Sequence, residues 1–221
     1  AIALVSIDGA APAEVIANLR TPIERERLRA VLGEIAQIVS GDHVRPRLDL
    51  VTWETLFAGD SATIRELARR IRLIARSDEP VWIAGHDGSG RAIVARGIHD
   101  RSSRRSHPFV ALNAGALADE SLSTKLFTGT HAAVALAARG TLFIEQASHL
   151  GPRTQRELLE FLDHTRGDES RPRVIVGFES EKVTSGISQD LYYRLKVLEI
   201  EIPPLVERVR DLEEIVTRML Q

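Results

Sequence analysis

The sequence predicts an α/β fold: a parallel sheet covered by helices on both faces. Three observations carry this. From Asp60 onward, short apolar runs alternate with segments of helical period. The runs at Val81–Ala84, 141–144 and Arg173–Phe178 are almost continuously apolar, the mark of strands buried on both faces. A glycine-rich turn at 85–92 joins one such run directly to a helical segment, as in a βαβ unit.

The elements follow in order. Residues 2–7 form a β-rich run that ends at the turn Asp8-Gly9, and a short helical pattern covers 12–19. Thr21-Pro22-Ile23-Glu24 reads as a helix start, with Thr as N-cap, Pro at the first helical position and Glu three residues after the cap. Apolar residues at 23, 28, 31, 32, 35, 38 and 39 keep helical spacing until Ser40-Gly41-Asp42 ends the helix. Residues 41–59 read as a linker. Beyond it, Ile64, Leu67, Ala68, Ile71, Ile74 and Ala75 form one helix face. Strands are expected at 81–84, 109–112, 141–144, 173–178 and 197–202. Helices are expected from the glycine-rich turn to about His99, over about 120–127, and over 153–164. Pro203-Pro204 stops the run, and a last helix spans 206–220. The expected organisation is an N-terminal segment (1–40), a linker (41–59), an α/β domain (60–204) and the start of a further helical subdomain (205–221).

Composition narrows the function classes. The 221 residues carry 29 basic and 31 acidic side chains, net −2, which excludes a uniformly basic nucleic-acid coat but not a local patch. Only Lys125, Lys182 and Lys196 are lysines, so the cations are overwhelmingly arginines. The absence of cysteine excludes disulfides, thiolate zinc sites and cysteine nucleophiles, and fits a reducing compartment. The small-apolar run 132–138 is too short to span a bilayer, and no signal segment opens the chain, so no membrane association is expected and the expected location is the cytoplasm. Residue 1 is Ala, so upstream residues are expected to be missing.

Gly85-His86-Asp87-Gly88-Ser89-Gly90-Arg91-Ala92 stands where a phosphate-binding loop would: after a strand, at the start of a helix. Glycines there let backbone N–H groups turn inward, and the helix N-terminus adds positive potential. The pattern calls for Gly-x4-Gly-Lys-Ser/Thr, whereas the lysine position holds Arg91 and the hydroxyl position Ala92. Arginine keeps the charge but is longer, planar and forked. Two readings stand side by side: the loop grips phosphate through Arg91, with His86 and Asp87 facing the nucleotide, or it survives as a sharp turn and binds nothing. Glu145-Gln146 ends the strand that should carry an acid for magnesium and an acid to polarise water. Glu145 could reach a magnesium ion, but Gln146 cannot accept a proton. Loss of a general base alone lowers a rate by about 10²–10⁴.

The chain from about residue 56 to 221 resembles the central AAA+ domain of bacterial enhancer-binding proteins, the sigma-54-dependent activators of NtrC type. The carrying strings are VWIAGHDGSGRAIVARGIH (81–99), PFVALNAGA (108–116), GTLFI (140–144), TQRELLEFL (154–162) and DLYYRLKV with IPPLVERVRDL (190–212). The resemblance implies a three-layer αβα sandwich with a five-stranded parallel sheet, an ATP site at the 85–92 loop, ring or dimer surfaces and a helical lid. Residues 1–40 faintly resemble the tail of a response-regulator receiver domain, as in two-component systems, with Thr21 where that family has Lys; an amphipathic linker or dimerisation helix fits the same pattern.

The departures from the family are equally specific. The loop lysine is Arg91, and the Walker B Asp-Glu pair is Glu145-Gln146. The sensor asparagine falls at Glu179, where an acid would repel a γ-phosphate. Of two arginine-finger positions, the first is Ser188 and only Arg194 remains. The sigma-54-contacting GAFTGA loop is absent, since only 13 positions separate Phe127 from Gly140. Groups that hydrolyse ATP act as a unit, so these changes together predict a pseudo-ATPase with no catalytic residues. The expected function is that of a non-enzymatic module of a transcription regulator, acting by self-association or partner contacts. DNA is expected to be bound only through a domain outside this chain, and sigma-54 is not an expected partner. No metal and no cofactor are expected; the alternatives are weak ATP or ADP binding as a sensor, or a slow ATPase using Arg91 and Glu145.

Other candidates carry bland expectations. Arg101-Ser102-Ser103-Arg104-Arg105-Ser106-His107 is read as a solvated basic loop. The seven histidines lack metal-ligand spacing. Tyr192 and Tyr193 are expected in the core, as are Trp53 and Trp82.

Overall fold

The computed structural model describes residues 61–165, 167–179, 186–204, 207 and 211. The expected N-terminal segment, the linker with Trp53, and the 206–220 helix apart from residues 207 and 211 lie outside the described residues.

Helix α1 (Ala62–Ile74) starts at Ser61, whose Oγ accepts the Ile64 N–H at 3.2 Å. The buried Asp211 carboxylate in turn accepts from the Ser61 N–H (3.2 Å) and hydroxyl (2.6 Å), so a residue 150 positions away holds the cap in place. Strand β1 (Val81–Ala84) is buried throughout and leads through the glycine-rich loop into α2 (Arg91–Asp100). Strand β2 (Phe109–Asn113), α3 (Asp119–Phe127), the single-turn α4 (Ala133–Leu136) and β3 (Thr141–Glu145) follow. Then come α5 (Pro152–His164), β4 (Arg173–Phe178), α6 (Gln189–Leu195) and β5 (Leu198–Glu201).

The five strands pair in the order β2-β3-β4-β1-β5, all parallel, confirming the expected three-layer architecture. The chain leaving β1 goes to the β2 edge, and the chain leaving β4 goes to the β5 edge. Connections therefore diverge at the carboxyl ends of these two neighbours, where ligand crevices of open α/β sheets form. Alternation along the strands sends Val81, Ile83, Phe143, Ile175 and Ile200 to one face, against Ile64, Leu67 and Ile71 of α1 and Val94 and Ile98 of α2. Trp82, Leu142, Ile144, Val176 and Phe178 face the other way, against Leu122, Leu126, Leu158, Leu162, Leu191 and Leu195. Trp82 stacks on Phe178 with ring centroids 3.6 Å apart and meets Tyr192 edge-on at 5.4 Å.

Two expectations need correction. The 101–107 run is not simply a solvated loop: Arg104 is buried. Its guanidinium donates to Asp78 (2.7 Å) and to the carbonyls of Arg139 (3.0 Å) and Arg171 (2.7 Å). These carbonyls lie where the chain enters β3 and β4, so the charge ties the two strand entries together. Tyr193 is not core; it is 66% exposed, because only Leu191 and Leu195 fall on the inward stripe of α6, with Tyr192 at its margin.

Candidate functional site

The 85–92 loop has the backbone of a phosphate cradle. Gly88 and Gly90 have φ of 74° and 95°, a left-handed conformation that favours glycine, and Gly90 caps α2 without a side-chain bond. The Gly85 N–H donates to the carbonyl of Phe178, the last residue of β4, which ties the loop to the sheet at 3.1 Å. Ser89 Oγ is buried in the loop and has no hydrogen-bond partner among the described residues.

Arg91 closes this cradle from within. The residue is 6% exposed, and each edge of its guanidinium is engaged by its own chain. Nε donates to Glu145 Oε1 at 2.5 Å, Nη1 to the Gly85 carbonyl at 2.5 Å, and Nη2 to Asp87 Oδ1 at 2.9 Å. Burial works against the charge, but the carboxylates of Glu145 and Asp87 outweigh it, so the Arg91 pKa is raised and the cation is fixed. The side chain thus joins the start of the loop to the end of β3. A lysine, a point charge without a fork, could not make all three contacts in one plane.

Glu145 and Gln146 diverge. Glu145 lies on the face of Phe143, beside α2 and Gly177; a Cβ added at Gly177 would come 3.1 Å from Glu145 Oε1, so the missing side chain leaves room for the carboxylate. Gln146 takes a left-handed conformation (φ 53°), uncommon for a residue with a Cβ, and its amide oxygen reaches toward Gly115, where an added Cβ would lie 2.2 Å away. The Glu145 carboxylate is therefore engaged by Arg91, and the neighbouring amide points across to the turn after β2. Ala92 offers no hydroxyl. Asp87 meets Arg91, and His86 is exposed in the same turn. Glu179 is the residue after Phe178 and shares the carboxyl end of the sheet with Gly85.

The expected finger residues lie apart from this cradle, on α6. Ser188 is the N-cap residue of α6, and its N–H donates to Gln155 Oε1 at 2.8 Å. Arg194 is ion-paired with Asp163 of α5. Gln155 went unremarked in the sequence: buried on α5, it also donates to the carbonyls of Leu150 and Gly186 and so braces the entry to α6. A polar residue at an inward-facing position of the 154–162 helical pattern was its only signal. A groove of about 510 Å³ lies there, lined by Pro152, Gln155, Leu159, Ile187 and Asp190, away from the glycine-rich loop. Among the described residues no group of acids and histidines is placed to hold a metal ion, and no helix is long and apolar enough to cross a membrane.

Comparison with known proteins agrees with this architecture. PilR, a response regulator protein of Pseudomonas aeruginosa, is 30% identical over 226 residues, spanning 92% of this chain and 50% of PilR. The Nif-specific regulatory protein of Azotobacter vinelandii is 32% identical over 191 residues, 76% of this chain and 37% of that protein. The chain spans half or less of the length of these curated relatives. Among solved structures, NtrX from Brucella abortus in complex with ADP superposes with a TM-score of 0.67 at 26% identity, over 89% of this chain and 46% of that one. The P-loop NTPase domain of the sigma-54 transport activator from E. coli gives 0.51 at 27% identity, over 66% of this chain and 99% of that domain. The family model of the sigma-54 interaction domain matches residues 57–201, about two-thirds of the sequence, and the chain belongs to that family.

Proposed function

We propose that this chain is a catalytically silent sigma-54 interaction domain, the AAA+ module of a cytoplasmic transcription regulator that works by self-association and partner contacts. The observation that carries the reading is the Arg91 guanidinium, held at once by the loop carbonyl of Gly85, by Asp87 and by Glu145. The residues do not fit a hydrolysing magnesium–nucleotide complex. Glu145 is neutralised by an internal cation, Gln146 accepts no proton, and Ala92 has no oxygen to offer a metal. The short 128–139 stretch, with the single turn of α4, supports a module that does not remodel sigma-54. Sequence-specific DNA recognition is assigned to another part of the regulator, and 205–221 to the start of a lid.

A second reading is a nucleotide sensor without turnover. It is favoured by the positive-φ glycines at the N-terminus of α2 and the unpartnered Ser89 hydroxyl, and by the NtrX structures with ADP and with ATP. One set of measurements separates the two from each other and from a working enzyme. The silent module gives no ADP from ATP and no calorimetric heat with millimolar magnesium nucleotide. A rise in melting temperature without turnover supports the sensor. Turnover that Arg91→Ala abolishes overturns both and restores a slow ATPase using Arg91 and Glu145.

A further inference from the structure

Helix α1 carries a charged stripe that the nucleotide loop does not explain. Arg65, Arg69, Arg72 and Arg76 follow at steps of 4, 3 and 4 residues, which places them on one line along the helix surface. All four are exposed, as is Arg70 beside them. Arg76 lies two residues past the helix end, but its N–H still bonds the Leu73 carbonyl at 3.2 Å, so the line continues. Glu66 is the single acid on the helix; it pairs with Arg69 at 2.8 Å in an exposed contact. Exposed pairs of this kind are weak and screened by salt, so a phosphate competes readily for that fork. Among the described residues Arg65, Arg70, Arg72 and Arg76 have no carboxylate within ion-pairing distance. In a chain of net charge −2 this is a concentrated local field.

The chemistry of the stripe selects its partner. The apolar side of α1 (Ile64, Leu67, Ile71, Ile74) is turned into the core, so nothing remains to insert into a lipid interface. Leu73, 52% exposed, is the one large apolar side chain beside the arginines, too little for the apolar centre of a protein interface. Forked guanidiniums match phosphate oxygens. At ~1.5 Å rise per residue the line is about 16 Å long, and a duplex presents one phosphate charge per ~1.7 Å of axis over that length. We infer that the Arg65–Arg69–Arg72–Arg76 face of α1 is a sequence-independent docking surface for the phosphate backbone of duplex DNA, supplementary to sequence-specific recognition elsewhere in the regulator. It does not depend on the state of the Arg91 loop.

The test uses the full 221-residue chain and a fluorescein-labelled 30-base-pair duplex of arbitrary sequence, read by anisotropy across a salt series. Four phosphate contacts give a slope of log K against log salt of about −3 to −4, hence an affinity loss of about a hundredfold between 50 and 200 mM salt. R65Q/R69Q/R72Q/R76Q loses most of the affinity and the slope, while its melting temperature stays near that of the parent. R65Q/R72Q, which perturbs less, halves the slope. R105Q/R153Q/R156Q/R171Q removes the same charge elsewhere and leaves binding in place. The inference is overturned by absence of duplex binding at 50 mM salt, by binding retained in the stripe variants, or by equal loss in the control variant. It is overturned too if vesicles of anionic lipid bind more tightly than the duplex with the same stripe dependence.

Discussion

Replacing Arg91 by alanine tests the central contact of the site. The substitution leaves Glu145, whose side chain is 21% exposed, without its cation, and the Gly85 carbonyl without its donor. Asp87 is 65% exposed and loses little, because water replaces the guanidinium. Removing one partner of a fully buried pair costs about 3–5 kcal/mol, since the other charge is left uncompensated. Glu145 has partial access to water, and burying the guanidinium is itself unfavourable, so a loss of about 2–3 kcal/mol is expected. For a chain of this size that corresponds to a fall of about 5–10 °C in melting temperature. Urea unfolding of Arg91→Ala, Glu145→Gln and the double variant completes a cycle with a coupling of about 2 kcal/mol. An unchanged urea midpoint in Arg91→Ala, or a coupling below about 0.5 kcal/mol, would show that the guanidinium does not bridge loop and strand.

Two further perturbations test the scaffold around the site. His99 is 2% exposed, with Nδ1 2.9 Å from Thr141 Oγ1. Burial lowers its pKa below the usual 6.5, with Asp100 opposing and Arg96 adding to the shift. The unfolded chain therefore binds the proton more readily. Stability is complete above the unfolded value and declines as pH falls through 6.5 toward the folded pKa, by at most about 1.4 kcal/mol per pH unit. Urea midpoints measured from pH 8 to pH 5 should show this decline, and His99→Gln should flatten it. At Gly140, a Cβ would stand 1.9 Å from the Pro108 carbonyl oxygen, a backbone atom with no flexible end. Gly140→Ala should lower stability by more than about 3 kcal/mol, read by thermal melting; a loss below about 1 kcal/mol would show that the β2–β3 entry yields easily.

The sheet is legible because its strands are short, apolar and bounded by turn residues; Val81–Ala84 and Arg173–Phe178 match to the residue, and the others to within one at each end. Helix ends shifted by a residue where caps decide them, as at Pro152, which enters the first turn of α5. The glycine-rich loop was legible from its strand–turn–helix setting. What Arg91 does there was not, because its partner Glu145 lies 54 residues away and a forked cation reads alike as a phosphate ligand or an internal tie. The burial of Arg104 is hidden for the same reason: its acceptors include, besides Asp78, backbone carbonyls at 35 and 67 residues' distance, which leave no trace in composition. The left-handed backbone of Gln146 likewise has no local cue, since glutamine is not a residue that favours φ > 0.

The Arg104 guanidinium also bears on the order in which the chain assembles. Its acceptors come from the stretches that feed β1, β3 and β4, so none of its bonds is complete until distant loops have closed. Such a tie contributes little while the nucleus is forming and much once the strands are aligned. It raises the barrier to opening more than it speeds closure, and gives the amino-terminal rim of the sheet a persistence that local helical contacts alone would not confer.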